Sequence, residues 1–168
     1  FIGLMLLFAL CFFQLFTTVP LYFKEGLHLN EFWIGVVMSL NGILIAVFEM
    51  VIVFKLEGRL PYLKLMSYGA VIMGISFFFL NMPFLSGFMV AVLSTLLITL
   101  AEILAMPFMN SWYISRSSEG NRGQYAALYT MAWSTAQIIG STAGTHMAHV
   151  AGFNNLWGIV GSICLVNA

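Results

Sequence analysis

The positions of the charged side chains divide the chain. Phe1–Phe23 and Phe32–Phe48 hold no Asp, Glu, Lys or Arg, Leu65–Ala101 runs 37 residues without one, and Gly123–Ala168 runs 46. The hydrocarbon layer of a bilayer is about 30 Å thick and a helix rises about 1.5 Å per residue, so one crossing takes roughly 20 apolar residues. The two longest runs therefore have to turn back once each. Turn-forming residues sit where those reversals are needed, at Asn81-Met82-Pro83 and at Gly152-Phe153-Asn154-Asn155. The pattern predicts six spans, at about 1–23, 32–55, 64–81, 85–115, 123–149 and 154–168.

Helix is the expected conformation of each span. In lipid every backbone N–H and C=O must be paired internally, which leaves helices or a closed barrel. The alternating strands of a barrel are absent from the sequence. The fourth span is too long to stand upright and straight. Pro107 is expected to kink it, and its last residues to leave the hydrocarbon. The sixth is short and reads as truncated, and the initial Phe reads as the start of an internal piece of a longer protein. Segment 1–23 has no basic start and no small-residue cleavage site, so it does not read as a signal peptide.

Composition agrees with this reading. The 168 residues are 61% hydrophobic and 7% charged, with six basic and six acidic side chains, against about 25% charged for a soluble domain. So few charges cannot cover a water-soluble surface of this size. That excludes a soluble enzyme, a nucleic-acid binder and a disordered tail. The basic residues also orient the chain. Lys55, Arg59 and Lys64 fall in loop 55–64, and Arg116 and Arg122 in loop 116–122, whereas the opposite side has only Lys24. The positive-inside bias makes those two loops cytoplasmic in a bacterial-type inner membrane. Tyr22, Trp33, Tyr62, Tyr68 and Tyr113 lie near the interfaces, where amphipathic rings are favoured. Cys11 and Cys164 lie within apolar spans and read as small packing residues, not a disulfide.

Two features of the spans bear on function. Ala132, Ala136, Gly140, Gly144 and Ala148 recur every fourth residue, forming a ridge of minimal side chains along the fifth span. Such a ridge admits a close helix crossing, either inside the bundle or against a second bundle. Polar side chains also occur at membrane depth. Glu102 lies 14 residues before Arg116 and 16 after Ser86, roughly 21 and 24 Å from the two ends. A carboxyl group at mid-membrane is costly when ionised and is expected to rest neutral, so Glu102 is a candidate proton-coupling or cation-binding group. Glu49 lies only about 9 Å from the cytoplasmic end of its span, where it either snorkels and pairs with a base or serves in coupling.

Gln14, Asn41 and Gln137, on three other spans, are at depths of about 15–22 Å. Each amide alone suits helix–helix hydrogen bonding; together with Glu102 they suggest a polar cavity at the midplane. Tyr129, Trp133 and Gln137, at i, i+4 and i+8, add an aromatic-plus-amide stripe suited to an amphipathic or aromatic ligand. The alternative for these rings is plain packing. His146 and His149 are spaced like some metal pairs but have no carboxylate or Cys close in sequence, and no metal or other cofactor is expected. Gly140-Ser141-Thr142-Ala143-Gly144 is not a nucleophile elbow, because its central residue is Thr. No Ser-His pair is evident and the two acidic residues fall at different depths, so an intramembrane hydrolase, and enzymatic activity generally, is not expected.

Six spans with both basic loops on one side resemble the C-terminal half of a major facilitator superfamily transporter. The closest local resemblance is Ala101-Glu102-Ile103-Leu104-Ala105-Met106-Pro107, then Asn121-Arg122-Gly123-Gln124-Tyr125 and the small-residue helix to Gly144. These look like the tenth and eleventh spans of the twelve-span drug/proton antiporter branch. Ala101 stands where that branch often has Gly, and Ser141 where it often has Pro. Val19-Pro20-Leu21-Tyr22-Phe23 resembles the end of the seventh span, and Leu56-Glu57-Gly58-Arg59-Leu60 is similar to the basic Gly-Arg loop that recurs in the two halves.

The resemblance implies an all-α membrane protein whose six transmembrane helices form one half, the C-terminal bundle, of a major facilitator fold. It implies a partner in a missing N-terminal six-helix half, a central cavity, and alternating access to a small-molecule substrate. Proton-coupled efflux is the expected activity, with Glu102 and Glu49 in coupling and Gln14, Asn41, Tyr129, Trp133 and Gln137 lining the substrate. A membrane sensor or assembly module that retains the fold is the alternative. Membrane lipid covers the remaining surface, no nucleic acid is bound, and the isolated fragment is expected to dimerise or bind detergent through its uncovered groove.

Overall fold

Residues 1–82, 85–118 and 120–168 are described by a computed structural model. Among them the regular structure is helical throughout: α1 (Ile2–Phe12), a 3-10 segment (Phe13–Phe16), α2 (Thr18–Glu25), α3 (Glu31–Leu56), α4 (Tyr62–Leu80), α5 (Gly87–Arg116), α6 (Arg122–Ala151) and α7 (Phe153–Val166). Local chemistry fixes several boundaries. The Asn30 side chain caps α3 by accepting from the Trp33 N–H at 3.0 Å, and Ser86 caps α5 in the same way through Met89 at 3.4 Å. Pro61 precedes α4, and Gly58, at φ 74°, turns the chain just before it. Gly152, at φ 81°, separates α6 from α7. Asn81 follows α4, and its Nδ2 donates to the Asn154 carbonyl at 3.0 Å, tying the two turn regions together. Pro83 of the first turn lies outside the described residues.

Among the described residues four segments are long and apolar enough to cross a bilayer: Ile2–Glu25, Glu31–Leu56, Tyr62–Leu80 and Gly87–Arg116. This makes the chain an integral membrane protein by length and composition. α6 matches these segments in length but is more polar, with Gln124, Ser134, Gln137, Ser141 and four threonines among its residues, and α7 has 14 residues. The first segment is not one continuous α-helix. It tightens to 3-10 geometry over Phe13–Phe16 and resumes after Thr17. α5 runs on through Pro107, which has no N–H to offer the Ile103 carbonyl.

α3 lies on α5, α5 on α4, α4 on α7, and α7 on α1 and α6, with α1 also against α6. α4 and α5 cross closely. A methyl group added at Gly69 would fall 2.8 Å from the Ala101 carbonyl oxygen and from the Ala105 side chain. Phe8, Leu15, Phe23, Met73, Phe77, Phe108 and Trp157 fill the interior. The apolar side chains left outside, such as Phe32, Met50, Phe54, Ile138 and Val150, form surface that suits lipid better than water. α3 is the most peripheral helix, and its buried residues are Val37 and Asn41.

Candidate functional site

Asn41 and Glu102 meet at the contact of α3 with α5. Asn41 is 5% exposed. Its Nδ2 donates to Thr99 Oγ1 at 2.9 Å and to Glu102 Oε2 at 3.2 Å. The Thr99 hydroxyl in turn donates to the Thr95 carbonyl at 2.8 Å. Thr95, Thr99 and Glu102 are spaced i, i+4 and i+7, so they share one face of α5. The Thr95 hydroxyl is sealed and has no hydrogen-bond partner. Glu102 is half-buried, and so is Glu49, which lies about two turns beyond Asn41 on α3. Among the described residues the one ion pair is Lys24–Glu31, 2.8 Å, between the end of α2 and the start of α3. The two carboxyl groups therefore face no paired base.

Gln14 lies elsewhere in the bundle. It sits in the 3-10 segment at 4% exposure, where Nε2 donates to the carbonyls of Leu10 and Gly140, both at 2.9 Å, and Oε1 accepts from Thr18 Oγ1 at 2.6 Å. Its amide is saturated by α1, α2 and α6. The small residues of α6 make this possible, because Ala132, Ala136, Gly140, Gly144 and Ala148 are the buried face of that helix. Gly140 lies against the Leu10 backbone, and a methyl group at Gly144 would overlap the Gln14 side chain. The ridge thus receives α1 within the bundle.

Along the aromatic stripe Tyr129 and Trp133 lie side by side, ring centroids 6.1 Å apart, and each also meets another element. Tyr129 stacks on Tyr113 of α5 with ring centroids 4.6 Å apart. Trp133 packs edge-on against Phe12 and Phe13 at 5.8 and 5.7 Å, and its Nε1 is sealed without a partner. Phe1 stacks on Trp112 at 4.2 Å, and the Arg116 guanidinium lies 5.3 Å from the Trp112 ring. These rings join α1, α5 and α6. Gln137 is exposed one turn beyond Trp133.

The four polar residues read as sharing one depth therefore do not converge. Asn41 and Glu102 are brought together, Gln14 is latched to α6, and Gln137 faces outward. Thr99 stands outside the pattern of amides and carboxyl groups at membrane depth; its i+3 spacing to Glu102 is the signal in the sequence that points to it. Two cavities, of about 610 and 580 Å³, are lined mainly by apolar side chains. They lie between α1 and α7 and along the outer part of α3 and α5, away from Glu102. Cys11 and Cys164 are free and buried, and Cys11 Sγ lies 3.7 Å from the Val160 carbonyl, bringing the first helix against the last. Among the described residues no group of three or more His, Cys, Asp or Glu side chains could hold a metal ion.

A family model described as Major Facilitator Superfamily matches residues 1–141. No curated protein and no solved structure matches the chain.

Proposed function

Because this chain belongs to the major facilitator superfamily, a family of membrane transporters, we propose that it is the C-terminal six-helix half of a secondary active transporter. It works by alternating access with a second six-helix half, in a bacterial cytoplasmic membrane with loops 55–64 and 116–122 inside. The local resemblance of Ala101–Pro107 and Asn121–Tyr125 to the drug/proton antiporter branch supports proton-coupled efflux of an amphipathic small molecule.

The observation that carries the reading is Glu102 itself. It is a half-buried carboxyl group in the middle of an apolar helix, hydrogen-bonded to a neutral amide and to no base. Such groups are costly to keep in a membrane and mark ion and proton pathways. Proton gain at Glu102 removes a desolvated charge, and a few kcal/mol of difference between two packings is enough to shift their populations. Glu49, two turns along α3, is the second coupling carboxyl group. Tyr129, Trp133 and the exposed Gln137 offer aromatic and amide contacts to the substrate. Asn41 and Gln14 shape the bundle around that surface.

The test is transport by the full-length protein across an imposed pH gradient, with ethidium as the aromatic probe in a wider panel of compounds. Glu102→Gln is expected to abolish the dependence of transport on the pH gradient. A variant that keeps the native pH dependence removes Glu102 from coupling.

A further inference from the structure

The hydrogen bonds around Asn41 have a direction, and that direction depends on the ionisation state of Glu102. The Thr99 hydroxyl has one proton, which it gives to the Thr95 carbonyl at 2.8 Å. Toward Asn41 it can therefore only accept. This fixes the Asn41 amide with its nitrogen toward Thr99, at 2.9 Å, and the same nitrogen reaches Glu102 Oε2 at 3.2 Å. The amide thus presents a donor to the carboxyl group. A donor is matched best by an ionised carboxylate, because a hydrogen bond to a charged acceptor is stronger than one to a neutral acceptor. A carboxyl group protonated on Oε2 would meet the amide donor-to-donor, and one protonated on Oε1 would accept only weakly.

The same amide also anchors α3. Of the 26 residues of that helix, Val37 and Asn41 are buried, and Asn41 is bonded to α5. We infer that Asn41, oriented by Thr99, is a positioning residue that clasps α3 to α5 while Glu102 is ionised and loosens the clasp when Glu102 takes up a proton.

This inference rests on the coupling role proposed for Glu102 and names the element that the proton moves. Few other groups face the carboxyl. From α3 there is Glu49, half-buried about two turns beyond Asn41. The titratable side chains of α4 are Tyr62, Lys64 and Tyr68, within its first two turns. From α6 Tyr129 reaches α5, where it stacks on Tyr113. None of these is hydrogen-bonded to Asn41 or Thr99 among the described residues.

The test needs no transported ligand. Spin labels on the full-length protein at Lys55, near the end of α3, and Ser115, near the end of α5, report their separation as pH is varied in lipid nanodiscs. The native protein is expected to give a short, narrow distance distribution at high pH and a longer, broader one at low pH. Thr99→Val keeps the shape but frees the amide to turn its oxygen toward Glu102, which favours the protonated form. The pH midpoint of the distance change is then expected to rise by about one unit, the size expected for one hydrogen bond to a charged group. Thr99→Ser restores both hydroxyl roles and is expected to return the midpoint to the native value. Asn41→Ala is expected to give the long, broad distribution at every pH.

A native distance that does not respond to pH overturns the inference, as does a Thr99→Val midpoint equal to the native one. The two proposals fail separately. If Glu102→Gln removes the pH dependence of transport while Thr99→Val leaves the midpoint unmoved, Glu102 keeps its coupling role and the clasp is wrong. If Glu102→Gln transports with native pH dependence, the coupling role itself is wrong.

Discussion

Replacing Gly144 by Ala is a small change with a large expected cost. The added methyl group would overlap the Gln14 side chain. Gln14 cannot simply swing aside, because its amide donates to the Leu10 and Gly140 carbonyls and accepts from Thr18. Displacing it breaks the interhelical bond to Gly140 and leaves buried polar groups unpaired. Interhelical hydrogen bonds in membranes are worth about 0.6 kcal/mol on average and up to about 1.7, and overpacking a tight contact adds about 1–3 kcal/mol. The expected destabilisation is about 2–4 kcal/mol. The control is Gly158→Ala on α7, where an added methyl meets nothing within 4 Å; there helix propensity alone should stabilise by about 0.5–1 kcal/mol. Equilibrium unfolding in detergent measures both. The double variant Gln14→Ala/Gly144→Ala completes a thermodynamic cycle, and a coupling of at least about 1 kcal/mol is expected because the smaller side chain makes room for the methyl. A Gly144→Ala protein as stable as Gly158→Ala, or a cycle with no coupling, would refute the latch between α1 and α6.

Gly69→Ala should also destabilise, by about 1–3 kcal/mol, because the methyl would press on the Ala101 carbonyl and the Ala105 side chain of α5; a fall in melting temperature of the detergent-solubilised protein is the readout. A membrane-impermeant maleimide should label single cysteines at Arg59 and Ser117 only from the cytoplasmic side of the membrane. The native Cys11 and Cys164, 2% and 0% exposed, should contribute little background.

What the sequence revealed was position along the membrane normal. A residue's depth follows from how many residues separate it from the charges that end its span, because the rise of a helix is fixed. That is why Glu102 is found in the interior of α5 and the small residues of α6 on a single face. Direction around the bundle is different. It depends on which helices are neighbours, and a charge pattern says nothing of that. Gln14 and Asn41 have similar depths, yet one faces α6 and the other faces α5. Thr99 escaped notice because a threonine within an apolar helix usually satisfies itself on the preceding turn. It does so here, at the Thr95 carbonyl, and only the arrival of Asn41 from another helix gives its lone pairs a use. The break in the first span has its signal in Pro20, one turn beyond Phe13–Phe16, which has no N–H to offer the Phe16 carbonyl; a pattern of charges alone passes over it.

The break in the first span leaves its inward face undisturbed. Counted at about 100° per residue straight through Phe13–Thr17, the buried Met5, Phe8 and Phe12 of the first half and the buried Val19, Tyr22 and Phe23 of the second fall on one side of the axis. The Tyr22 hydroxyl thereby reaches the Leu80 carbonyl at 2.9 Å. The span gives up regular α-helical hydrogen bonding at its middle without giving up its amphipathic register, so one stripe of side chains serves both halves.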